Sequence, residues 1–193
     1  MIDTETRIKN ATTDLLLKDG NFGLSMADIA KRSEVSRTLL HYYFRSKEKL
    51  LSAVDKEIVK NIVTPKYSVL LLESSLISKI EKYIFESQSS SYFYPYLDVY
   101  FMSQYGNNIV FQEYFESIED SYKRLLSQIQ TCIDERKLNY PTPDCFLMEL
   151  FSLANCSFIY SKFFTSSFNS GESILKPALI KNRENSILKY FFS

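Results

Sequence analysis

The sequence predicts an all-α protein, and three observations carry that reading. Apolar residues recur at helical spacing along nearly the whole chain, no alternating strand pattern runs beyond a few residues, and only 4 Gly and 5 Pro interrupt 193 residues. With 45% hydrophobic and 24% charged residues, the chain is neither disordered nor collagen-like, and it is long enough to build a core without disulfide staples.

The elements follow in order. Ile8, Ala11, Leu15 and Leu16 define a first helix over about 4–19, stopped at Asp19-Gly20. Ser25, with Asp28 three residues on, caps a short second helix over 26–32. Ser36 and Ser46 open the third and fourth. Longer helices are expected over about 47–63, ended by Thr64-Pro65, then 67–88, 92–105, 109–138, 143–168 and 174–192, about nine in all. A Ser-rich scrap, SQSSS at 87–91, is the one low-complexity segment. The pattern divides the chain into a three-helix head, 1–46, and a larger helical body, 47–193.

Net charge is zero, 23 basic against 23 acidic residues, but it is unevenly placed. From Lys31 to Lys49 six basic residues face two acids, whereas residues 51–193 carry 14 basic and 16 acidic side chains. An ordinary solvated helix face explains such a patch as well as a nucleic-acid surface does, until helix three is considered. There Arg37, Thr38, His41 and Tyr42 fall on one half of the helical wheel, and Leu39, Leu40, Tyr43 and Phe44 on the other. The apolar half can dock on helices one and two, while the polar half offers a guanidinium, a hydroxyl, an imidazole and a phenol suited to base edges and phosphates in a major groove. A helix, a turn of about four residues and a capped second helix form the helix-turn-helix arrangement.

These residues also carry a resemblance. The stretch Thr6 to Val54 resembles the N-terminal domain of TetR-type transcriptional regulators, through Phe22-Gly23 before the Ser25 cap, Asp28-Ile29-Ala30, Val35-Ser36-Arg37, Tyr42-Tyr43-Phe44 and Ser46-Lys47-Glu48. The resemblance implies that Ser25 touches phosphate, that Ser36, Arg37, Thr38 and Leu39 open a recognition helix in the major groove, that His41 and Tyr42 contact phosphate or bases, and that Lys47 clamps a phosphate. Two positions depart from the pattern. Glu34 stands where the turn usually has Gly, at a cost of about 1 kcal/mol for a positive φ. Leu39 replaces a residue often small or polar; it either packs or meets a thymine methyl, and the family's placement of this position near bases favours the second.

Other chemistries are poorly supported. His41 is the sole histidine, so a metal site lacks ligands; Glu113, Glu116, Glu119 and Asp120 lack the Glu-x-x-His element of a di-metal bundle and read as a solvated face. Cys132, Cys145 and Cys156 show no CxxC spacing and read as core filler in a reduced compartment. No nucleophile elbow or phosphate loop occurs, so neither an enzyme nor a cofactor is expected. The longest apolar run, Leu150 to Ser161, is 12 residues where a membrane span needs about 20. The N-terminus has no secretory signal, and a cytoplasmic protein without a membrane partner is expected.

Eleven aromatic residues lie between Tyr92 and Tyr122. Core packing explains many, but helix bundles also place ligand pockets between helices, and Tyr hydroxyls on apolar walls orient small molecules. With the family resemblance, this makes Tyr96, Tyr100, Phe101, Tyr105, Phe115 and Tyr122 candidate contacts for an apolar or aromatic effector. The expectation is a homodimeric repressor that releases double-stranded DNA at a palindromic operator when its effector binds. The alternative is a helical small-molecule carrier or enzyme without DNA binding. Dimerisation is expected through stripes on the last two helices, Phe146, Leu150, Leu153, Ser157 and Tyr160 to Ser161 on one, Ile180, Ile187, Leu188 and Phe191 on the other. An unbroken fourth helix from Lys47 to Val63 is expected to link the DNA surface to the body.

Overall fold

The computed structural model describes residues 3–104, 106–168 and 177–192, with side chains described outside 156–181. Every described element is helical: α1 (Thr4–Leu17), α2 (Met26–Ser33), α3 (Arg37–Phe44), α4 (Lys47–Ile58), a π-helical segment Val59–Val63, α5 (Thr64–Ser68), a 3-10 turn Val69–Leu71, α6 (Leu76–Phe93), α7 (Leu97–Gln104), α8 (Ile109–Asp134), α9 (Pro143–Phe168) and α10 (Pro177–Phe192). Because α4, the π segment and α5 are contiguous, the described residues form nine helical rods, as the periodicity predicts.

The boundaries differ where polar or imino residues act locally. Pro65 does not end its helix. Its ring would press on the carbonyl one turn back, and the widened π segment just before it, in which Thr64 N–H reaches the Val59 carbonyl, removes that clash. The expected continuous α-rod from 47 to 63 is therefore α only to Ile58. The helix foreseen from residue 67 instead begins at Leu76, where the Ser75 hydroxyl accepts from Ser78 N–H at 3.3 Å. It runs through the Ser-rich scrap and stops at Phe93, because the residue before Pro95 is biased away from helical ψ. Helix α8 ends at Asp134 as Arg136 turns left-handed at φ 58°.

The chain groups into two compact units, residues 1–64 with 93–116, and residues 65–92 with 117–193. In the first, Ile8, Leu16 and Leu17 of α1, Ile29 of α2, Leu40 of α3 and Leu50 and Val54 of α4 form a core. Helix α7 belongs to this unit as well: Tyr96 N–H donates to the Leu17 carbonyl at 3.0 Å, and Gly20 sits at φ 69° under the Tyr96 ring, where a Cβ would come within 2.9 Å of a ring carbon. Gly20 is thus required twice, for its backbone and for its missing side chain.

The second unit is built on Ile80, Tyr83 and Ile84 of α6, Leu125 and Ile129 of α8, Phe146, Leu147, Leu150 and Ala154 of α9, and Ile187 and Phe191 of α10. Here the expected dimer stripes are corrected. Phe146, Leu150, Ile187 and Phe191 are buried within the single chain, with Leu153 and Leu188 packed against them, because these aromatic and aliphatic groups fill their own core. Ser157, Tyr160, Ser161 and Ile180 lie outside the described side chains. No helix among the described residues is long and apolar enough to cross a membrane.

Candidate nucleic-acid interface

Local hydrogen bonding fixes the head's two short helices. Ser25 forms a full capping box: its hydroxyl accepts from Asp28 N–H at 3.3 Å, and the Asp28 carboxylate accepts from Ser25 N–H at 2.8 Å and from its hydroxyl at 2.7 Å. These bonds from Ser25 hold the Asp28 carboxyl below the usual carboxylate range. At the other end of α2 the Ser33 hydroxyl donates to the Ile29 carbonyl, and Glu34 turns left-handed at φ 54°, its N–H closing on Ala30 and Lys31. That is the strained turn the motif places at this non-glycine position. Ser36 then caps α3 by accepting from Leu39 N–H at 3.1 Å, and Ser46 caps α4 by accepting from Lys49 N–H at 3.3 Å.

Helix α3 inserts only two side chains into the core, Leu40 at 0% exposure and Phe44 at 7%. Ser36, Arg37, Thr38, Leu39, His41, Tyr42 and Tyr43 are all exposed, Tyr42 at 78%. The helical wheel therefore overestimates the buried half: in an eight-residue helix one turn apart is enough to anchor, and Leu39 and Tyr43 stay outside. Tyr43, which the wheel assigns to the buried half, leans edge-on against Tyr42 at 5.5 Å, so the two form an exposed aromatic pair. His41 Nδ1 lies 3.4 Å from the Arg45 carbonyl, closing the helix C-terminus.

Most of the head's basic residues are held outside direct ion pairs. Of the six basic residues between Lys31 and Lys49, Arg32 pairs with Asp19 at 3.2 Å; Lys31, Arg37, Arg45, Lys47 and Lys49 form no ion pair among the described residues. Elsewhere in the same unit Lys9 bridges Glu5 and Glu57 at 3.0 and 2.7 Å. Cations outside direct ion pairs, in a head with an exposed row of hydroxyl, imidazole and phenol groups, suit a polyanion.

The candidate effector residues scatter. Tyr96, Tyr100, Phe101 and Phe115 belong to the first unit and Tyr122 to the second, while Tyr105 lies outside the described residues. Phe101 stacks on Phe115 at 5.3 Å, and Tyr96 packs near Phe22 at 6.5 Å. Tyr100 is spoken for: its hydroxyl donates to Asp55 at 2.7 Å, and Asn108 Nδ2 donates to the other carboxylate oxygen at 2.8 Å. Burial pushes the Asp55 carboxyl up, against the pull of these two bonds. Burial, then the Asp55 charge, pushes the Tyr100 phenol up. This triad joins α4, α7 and the start of α8, and the sequence reading missed it. Asp55 on the apolar side of α4, beside Val54 and Ile58, was the available signal. Tyr122 is exposed, with burial and the Asp144 charge raising its phenol.

Residues 8–54 match the family model of bacterial regulatory proteins, tetR family. Among solved structures, a Clostridium perfringens protein described as a candidate fatty acid metabolism regulator aligns with 97% of this chain and 99% of its own at 18% identity, TM-score 0.60. A TetR family transcription regulator from Marinobacter aquaeolei VT8 aligns over 98% and 96% at 15% identity, TM-score 0.60. A TetR/AcrR family regulator from Thermobifida fusca YX-ER1 aligns over 97% of both chains at 18% identity, TM-score 0.58. At these identities the likeness is one of fold. No curated protein matches the chain.

Proposed function

We propose that this chain, whose residues 8–54 match the family model of bacterial regulatory proteins, tetR family, is a DNA-binding homodimeric repressor that leaves a palindromic operator when a small effector binds. The observation that carries the reading is the outer side of α3, where Ser36, Arg37, Thr38, Leu39, His41 and Tyr42 stand exposed, in a head whose Lys31, Arg45, Lys47 and Lys49 form no ion pair among the described residues. In this reading residues 1–46 recognise DNA, and residues 47–193 bind effector and partner. Arg37 reads a base edge, Leu39 meets a thymine methyl, and Ser25 and Lys47 hold phosphates. With Phe146, Leu150, Ile187 and Phe191 consumed by their own core, the dimer forms through the outward sides of α9 and α10, where Met148 is 67% and Tyr190 58% exposed.

A gel-shift or fluorescence assay on DNA flanking the protein's own gene tests the reading. Sequence-selective binding by a dimer is expected; a folded protein that ignores this DNA, or a single monomeric species at micromolar concentration in sedimentation, contradicts it. By linkage, the effector must bind the free protein more tightly than the DNA-bound one, by the same factor that it weakens DNA binding.

A further inference from the structure

Helix α6 carries one buried stripe whose chemistry changes halfway along. Ile80, Tyr83 and Ile84 are fully buried; one turn on, the same stripe continues as Ser87, Gln88 and Ser91, at 0%, 2% and 2% exposure. The first polar group is satisfied on α9: Ser87 donates to Asn155 Oδ1, and Asn155 Nδ2 donates to the Tyr83 hydroxyl at 3.1 Å. Gln88 and Ser91 are different. Neither Nε2 nor Oε1 of Gln88, nor the Ser91 hydroxyl, has a hydrogen-bond partner among the described residues. Buried amides are almost always bonded, and an amide without a partner among the described residues costs stability at that position. Such violations of local consistency concentrate at functional sites.

We propose that Gln88 and Ser91 form the polar end of the effector site, and that it takes a neutral molecule with an amide-like edge, a donor beside an acceptor, on an apolar frame. The proposal rests on the regulator reading only in taking residues 47–193 as the effector-binding part. The primary amide of Gln88 presents one acceptor and one donor group, so its complement is another amide, a lactam or a similar paired edge. A carboxylate would find the Nε2 donor but would set its second oxygen against Oε1, and neither Gln88 nor Ser91 carries a compensating charge. A pure hydrocarbon would leave both amide atoms as they are. The apolar frame is inferred from the place of the pair, which continues along α6 the buried stripe of Ile80, Tyr83 and Ile84. The effector expected from the aromatic content alone is thereby sharpened: apolar in bulk, but selected by one polar edge.

The test uses the full-length protein without DNA, with benzamide and ε-caprolactam as amide probes and ethylbenzene and benzoate as controls, their dissociation constants measured by saturation-transfer NMR. The amides are expected to bind the wild type more tightly than either control. Gln88→Met should weaken the amides at least tenfold, leave ethylbenzene unchanged and keep or raise the Tm of the unliganded protein, since it removes two orphaned polar atoms at similar volume. Ser91→Ala provides the same readout independently, with at least threefold selective weakening. Amides that do not bind the wild type, amides that bind Gln88→Met and Ser91→Ala as well as the wild type, or a lowered Tm in Gln88→Met would each overturn the proposal, the last by showing a structural partner for the amide. Operator binding measured in parallel keeps the two readings apart. Wild-type protein that binds operator but no amide sinks only the effector site, and protein that binds amides through Gln88 but no DNA sinks only the regulator.

Discussion

The head and the α6–α9 region use polar side chains in opposite ways. In the head, Ser25, Ser36 and Ser46 each bond a backbone N–H three residues along, at a helix start, in view of solvent. In the α6–α9 region, Ser87 and Tyr83 are satisfied by Asn155, 68 and 72 residues away, inside the core. A local cap is a short-range solution whose loss solvent largely repairs, whereas a through-space bond in the core leaves its partner stranded when one side is removed. The difference sets the sizes of effects expected from substitution.

The largest effect belongs to Asn155. Replacing it with Ala removes the Asn155 hydrogen bonds of Tyr83 and Ser87 together and should cost about 2–6 kcal/mol in urea unfolding, at about 1–3 kcal/mol per group; a cost below that of a cap would break the contrast. Tyr100→Phe comes next, removing one of the two bonds to buried Asp55 at about 1–3 kcal/mol. Its pH dependence has a definite sign. Because burial raises the Asp55 pKa in the folded state, the native protein holds that proton to higher pH than the unfolded chain does. The contribution is therefore present at low pH and is lost as pH rises from the ordinary carboxylate range through the raised value. Losing the Tyr100 bond, which favours the ionised form, should extend that loss to higher pH, seen as a steeper fall of stability in a pH series. An unchanged series would mean that Asp55 does not ionise within it.

Smaller effects are expected in the head. Ser36→Ala should cost about 1 kcal/mol in thermal unfolding, and combined with Ser25→Ala the costs should add within about 0.5 kcal/mol, since the two caps share no partner. Strong coupling between them would show that the head's polar groups are not local after all. Glu34→Gly is the smallest and runs the other way. Relief of a positive φ at about 1–2 kcal/mol exceeds the extra chain entropy of Gly at about 0.5–1 kcal/mol, so a stabilisation of about 0.5 kcal/mol is expected.

The same contrast explains what could be read in advance. Caps, turn and recognition helix were legible because each is written within four residues: Ser25 with Asp28, Glu34 at the turn, Ser36 before Arg37. The helical rods were legible from period alone. The Asp55–Tyr100–Asn108 triad joins residues 45 and 53 positions apart, and no local pattern announces it. For the same reason the aromatic residues could be counted but not placed, and Tyr100 proved to be committed to Asp55. The stripes on α9 and α10 illustrate the remaining ambiguity: an apolar stripe reads alike whether it meets its own core or a second chain, and the described part of these two meets its own core. Pro65 defeated the local rule because the π segment before it absorbs the ring.

The most direct measurement of the central claim is the salt dependence of operator affinity, followed by fluorescence anisotropy on DNA flanking the gene for wild type, Lys47→Ala and Arg37→Ala. The wild type should lose affinity steeply with salt. Lys47→Ala should weaken all sequences alike and lower the slope of log K against log salt by about one per head. Arg37→Ala should relax preference at one base position by about 1–3 kcal/mol. A wild-type slope near zero, or a Lys47→Ala slope equal to that of the wild type together with an Arg37→Ala protein of unaltered base preference, would contradict the assignment of the α3 face as the DNA-reading surface.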